Sequence, residues 1–122
     1  MMHDESNFAR AYVAVLEAER GSNAYRQNFW AYDQLLLLTL SEPNRAWELV
    51  KQIVSFNKSE HVLSSLGAGP IENLVANHGD LIIDQIEHDA AEDKFLRAAL
   101  RSVWRGDAVS DAVWRRIERS IK

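Results

Sequence analysis

Apolar residues recur along this chain at spacings of three and four, the period of an amphipathic helix. Phe8, Tyr12, Val15 and Leu16 define a first helix over about Ser6 to Glu19, stopped by Gly21. Ser22 or Asn23 can cap a second helix, because each offers a side-chain oxygen to the free amide groups of a first turn. That helix is aromatic and then leucine-rich: Tyr25, Phe29, Trp30 and Tyr32, followed by Leu35 to Leu38 and Leu40. Its apolar side chains cover more than one stripe, so it is expected to be the most buried helix or to face a partner as well. Ser41 reads as the next cap, with Pro43 accepted in the first turn. Ala46, Leu49, Val50 and Ile53 follow at helical spacing, flanked by Trp47 and Val54.

Ser59 caps a short segment from Glu60 to Leu66 that ends at Gly67. Gly67-Ala68-Gly69-Pro70 reads as a turn, with Pro70 at a first helical position and Glu72 where the helix dipole favours an acid. Ile71, Leu74, Val75 and His78 form the stripe of the helix that follows, and Gly79 is its expected left-handed stop. Asp80 is placed as the cap of a helix carrying Ile82, Ile83, Ile86 and Ala90. Asp93 caps another, with Phe95, Leu96, Ala99, Leu100, Val103 and Trp104 on a broad apolar face ending at Gly106. Ser110 caps the last, lined by Val113, Trp114, Ile117 and Ile121. No segment alternates with a period of two, so the expected fold is all-α: a compact bundle or short repeat-like stack of six or seven antiparallel helices, each roughly 8 to 18 residues long.

The length of 122 residues and mass of 13.9 kDa fit a single domain spanning 1–122. With 47% apolar and 26% charged residues, the composition is that of a folded globular chain. Cysteine is absent, which excludes disulfides, thiolate metal sites and thiol catalysis. The opening Met1-Met2-His3-Asp4-Glu5 is not read as a secretory signal, and the run Leu35–Leu38 is too short to span a bilayer. A cytoplasmic location without membrane association is the expectation.

The net charge of −4 argues against nucleic acid as a partner, but the charge is unevenly spread. Between Glu72 and Asp93 stand seven acids and no lysine or arginine, whereas Lys94 to Lys122 holds eight basic residues against three acids. On one continuous helix, Lys94, Arg97, Arg101 and Arg105 share a narrow sector, with Trp104 at its border. These outer faces are either solvated and laced with weak ion pairs, or a binding surface for an oppositely charged protein. Trp104 either completes the core or stacks on a guanidinium at that face.

No nucleophile elbow, phosphate loop or zinc helix is present. The best candidate pocket is Glu72, His78, Asp80 and His88. Asp84 and His88, four apart, share a helix face that can orient an imidazole or hold a metal, but a metal site needs three or four converging ligands. No cofactor is called for. The bland alternatives are that His78 packs or caps carbonyls at a helix end, that Asp84 and His88 are a surface pair, and that Glu72 ties its helix to Arg97 or Arg101. His3 and His61 are read as structural or surface residues.

The stretch Leu66 to Gly79, with Gly69-Pro70-Ile71-Glu72 and His78-Gly79, resembles the signature of a bacterial family of small helical proteins of unassigned function. Ile86, Glu87 and Ala90, then Phe95 and Leu100, the pair Val103-Trp104, and upstream Pro43 to Val50 with Ala46-Trp47 extend the likeness over about residues 30 to 117. Lys94 departs from it, standing where proline often follows the capping acid. The resemblance implies a bacterial, all-helical domain and draws attention to Glu72 and His78, without implying an activity or cofactor. The function expected from these features together is a non-enzymatic protein-interaction module for a protein partner not yet identified. Its faces would be Arg97, Arg101, Arg105 and Trp104, or the Tyr25–Leu40 helix, where the apolar excess also suggests a homodimer. The alternative is a small hydrolase or metal-binding enzyme using Glu72, His78, Asp80 and His88.

Overall fold

Seven α-helices make up the computed structural model, which describes residues 7–122: α1 (Phe8–Glu17), α2 (Asn23–Ser41), α3 (Pro43–Phe56), α4 (Glu60–Leu66), α5 (Glu72–Glu92), α6 (Lys94–Leu100) and α7 (Asp111–Ile121). There is no strand among the described residues, and the fold is all-α. Ser6, the expected start of the first helix, and His3 lie outside the described residues.

Several helix ends follow from local chemistry. The hydroxyls of Ser22, Ser59 and Ser110 accept the N–H groups of Tyr25, Val62 and Val113 at 3.2, 3.3 and 3.2 Å, and the Asp93 carboxylate accepts that of Phe95 at 2.8 Å. Each cap satisfies a donor that has no partner within its own helix. Gly21 adopts φ +83°, a conformation that L side chains avoid, and separates α1 from α2. Ser41 is not a cap. It is the last residue of α2 and donates its hydroxyl to the Leu37 carbonyl at 3.0 Å, while Glu42 precedes Pro43 at the start of α3.

The expected turn at Gly67–Pro70 is helical instead. A π-helical turn, Gly67–Ile71, carries α4 into α5 without a break, a wider winding that accommodates the proline ring and its missing donor. Gly67 is required here for proximity: a Cβ at this position would lie 2.0 Å from the Ala99 carbonyl oxygen. Gly79 is no left-handed stop either, because α5 passes through it with a kink at His78, where φ is −139° and ψ 29°. Its missing side chain makes room for α7, since a Cβ would meet Val113 Cγ1 at 3.2 Å. Asp80 therefore lies inside α5 and caps nothing. Helix α6 ends at Leu100, earlier than Gly106, and residues 101–110 form an irregular connection.

The buried side chains form one hydrophobic cluster to which every helix contributes. Trp47, expected beside its stripe, is wholly buried within it, with Phe8, Leu35, Ile53, Leu66, Leu74, Ile82, Ile86 and Leu96 among the other fully buried side chains. Burial of each such side chain is worth roughly 1.5–3 kcal/mol. Only Ala31, Leu35 and Thr39 of α2 are buried, with Trp30 and Leu38 packed partly against the core, so α2 is not the most buried helix. No helix among the described residues is long and apolar enough to cross a membrane.

Candidate functional site

Glu72 opens α5 and is half-buried; its Oε1 accepts the backbone N–H of Trp104 at 2.8 Å. Its partner is thus a main-chain amide and neither Arg97 nor Arg101. The connection that carries Trp104 is fastened on both sides, by buried Val103 and Val109 and by Arg105, which donates to the Val109 carbonyl at 3.2 Å and pairs with Asp111. That pairing holds the Asp111 carboxyl below its usual range. Trp104 itself is 79% exposed and completes no core.

The arginine sector does not persist, because α6 stops before Arg101. Arg97 donates to the Ala90 carbonyl at 2.7 Å, capping the end of α5, and Arg101 donates to the Ile121 carbonyl at 3.3 Å. Each guanidinium therefore fastens a helix end or the connecting segment. The basic residues that do face solvent are Arg115 and Arg119 on α7 and Lys122 just beyond it, which line an open cleft of about 540 Å³ with Ala112, Arg116 and Glu118.

His78, at the kink of α5, places Nε2 3.0 Å from the Leu40 carbonyl. A carbonyl only accepts, so this nitrogen carries the hydrogen and ties α5 to the end of α2. His61 makes the same kind of link, Nε2 to the Leu16 carbonyl at 3.0 Å. Asp80 and His88 are exposed. Asp84 pairs with Arg116 on α7, which also binds Glu87 and holds the Glu87 carboxyl below its usual range. Thus the candidate quartet is dispersed: Glu72 faces the 101–110 connection, His78 faces α2, and the other two face solvent. No group of three or more metal-ligating side chains converges among the described residues.

One feature escaped the sequence. It is a polar junction between α3 and α5, where Asp89 accepts the Trp47 indole N–H at 2.7 Å, Gln85 at 3.0 Å and Lys51 at 3.1 Å. Burial alone would raise the Asp89 pKa, but these three donors hold it below the ordinary carboxylate value. A buried tryptophan needs an acceptor, which was a usable signal; that the acceptor lies 42 residues away was not.

The apolar excess of α2, evident in the sequence, takes a definite form in the structure. Tyr25, Phe29, Tyr32, Leu36 and Leu40 fall within one sector of about 80° that borders the buried residues Leu35 and Thr39. Ring centroids lie 5.4 Å apart for both Tyr25–Phe29 and Phe29–Tyr32, and Tyr32 also stacks on buried Tyr12 at 5.6 Å. Leu36, Leu37 and Leu40 are 43%, 58% and 54% exposed. Beyond them exposed Leu81 lines an open cleft of about 500 Å³ with Glu42, Pro43 and Arg45. Beneath Tyr32 and Leu36 a cavity of about 30 Å³, bounded by Tyr12, Gly69, Pro70 and Asn73, is the size of a single water. Burial and the neighbouring Tyr32 push the Tyr12 hydroxyl pKa upward.

A family model, described as a family of unknown function (DUF6869), matches residues 18–122. No curated protein and no solved structure gives a significant match.

Proposed function

This chain belongs to the DUF6869 family, and we propose that it is a non-enzymatic protein-interaction module whose contact face is the outer stripe of α2. The observation that carries this reading is the exposure of Tyr32, Leu36, Leu37 and Leu40 along a single helix that already meets the core through Ala31, Leu35 and Thr39. Large apolar side chains exposed together mark contact surfaces, because water is excluded from them only when a partner arrives. Exposed Trp104, carried on a segment fastened by Glu72 and Arg105, supplies a second anchor. Dispersal of Glu72, His78, Asp80 and His88 weighs against a hydrolase or metal enzyme, which needs converging groups. The module works without a cofactor, in the bacterial cytoplasm, and with a protein in preference to nucleic acid, given its net charge of −4.

Capture from the native host lysate tests this. Wild type, Leu36→Glu/Leu40→Glu and Trp104→Ala serve as parallel baits, each checked for helicity by circular dichroism. The expected result is a stoichiometric protein held by wild type and lost from the α2 variant. Equal capture by wild type and the α2 variant would remove α2 as the contact face.

A further inference from the structure

We propose that α7 is a strap that opens from α5 as a unit, ahead of unfolding of the rest of the chain, and that Arg116 is its latch. Val113 lies against Gly79, Arg116 reaches Asp84 and Glu87, and Arg119 and Ser120 line a cleft with Glu87 and Ala91. Residue numbers rise together along the two helices, so α7 lies along α5 in the same direction. That sets like ends of the two helix dipoles side by side, which opposes docking.

Little apolar burial offsets this. Of the 11 residues of α7 only Val113 and Ile117 are buried, whereas α1, with 10 residues, buries Phe8, Ala11, Tyr12, Val13 and Val15. Helix α2 also buries few side chains, but Glu42 alone separates it from α3, and its Tyr32 stacks on buried Tyr12. Helix α7 instead follows the irregular segment 101–110. Buried Val109 fastens that segment up to Ser110, whose hydroxyl caps α7 itself. The hinge is therefore the Val109–Ser110 junction, and the part that carries Trp104 stays in place while α7 swings.

Charge closes the strap. Arg116 bridges two carboxylates of α5, and Arg101 donates to the Ile121 carbonyl at the far end of α7. The pair between Arg105 and Asp111 ties the first turn of α7 to the connection and not to α5. The Arg116 side chain is 31% exposed and that of Asp84 84%, so dissolved salt screens the latch. Opening uncovers buried Ile83 and Ile86, which stand four and seven residues beyond Gly79 and share its face of α5.

An isolated helix of this length does not persist in water, so an opened α7 loses its amide protection and hydrogen exchange reads the event. Exchange of the full chain, followed by mass spectrometry, compares wild type at low salt and in about 0.5 M sodium chloride with Arg116→Gln and Arg116→Lys. Amides of α7 are expected to exchange about a hundredfold faster than those of α3. Salt and Arg116→Gln should each speed α7 by a further factor of about five while leaving α3 unchanged, and Arg116→Lys should recover part of the protection. The comparison of wild type at two salt concentrations holds whether or not the variants fold. Exchange of α7 no faster than that of α3, with the same dependence on urea, overturns the inference. So does an α7 rate unmoved by salt or by Arg116→Gln, or one that rises only together with that of α3.

Discussion

The indole N–H of Trp47 donates to the carboxylate of Asp89 at 2.7 Å, linking α3 to α5 across 42 residues. Trp47 is wholly buried, so its N–H has no access to water in place of this acceptor. Asp89→Ala is expected to destabilise the fold by roughly 1–3 kcal/mol, the cost of leaving a buried donor unmatched. Urea denaturation of Asp89→Ala, Trp47→Phe and the double variant measures it. The two single losses should fall short of adding, since each removes the same bond.

The same junction makes stability depend on pH. The folded state holds the Asp89 pKa below its ordinary value, so its contribution is complete above the unfolded value of about 3.9 and is lost as pH falls through the lower folded value. Glu87 and Asp111 shift in the same direction. Wild type should lose stability steeply below pH about 4, and Asp89→Asn should show a shallower decline in its urea midpoint over that range.

Glu72 holds the segment that displays Trp104. Removing its carboxylate in Glu72→Ala should accelerate hydrogen exchange at the Trp104 amide and through residues 101–110, at a cost near 1 kcal/mol. Glu72→Gln keeps an oxygen acceptor and should recover most of the protection. Exchange monitored by mass spectrometry distinguishes the two.

Two glycines in the π-helical turn should respond oppositely to the same substitution. A methyl group at Gly67 would overlap the Ala99 carbonyl oxygen at 2.0 Å and Ser102 Cβ at 2.9 Å, whereas one at Gly69 meets nothing within 4 Å. Gly67→Ala should cost 3 kcal/mol or more, roughly the upper end of what overpacking costs. Gly69→Ala should be neutral or slightly stabilising. Thermal melting of the two variants provides the comparison.

What was legible in the sequence was short-range. Ser22, Ser59, Asp93 and Ser110 cap helices through atoms two or three residues away, and the stripes that feed the core repeat within a few turns. Where proximity between distant segments decided the outcome, local signals misled. Gly67 and Gly79 resemble helix stops, yet each is small because Ala99 or Val113 lies against it. The arginine sector assumed that α6 continues to Gly106; its end at Leu100 turned three aligned cations into separate fasteners for carbonyls at Ala90, Ile121 and Val109. Glu72 was expected to meet Arg97 or Arg101, but its partner is the Trp104 backbone amide, and such a partner leaves no mark in the sequence. The double-sided apolar character of α2 was visible from the start, because it is a property of one helix alone.

The most direct test of the account is site-specific photocrosslinking in the native host, with p-benzoylphenylalanine at position 36 and, as a control, at position 112 on the solvent face of α7. With α2 as the contact face, a discrete higher-mass protein adduct is expected at position 36, and none at position 112. No adduct at position 36, or equal yields at both positions, would contradict it.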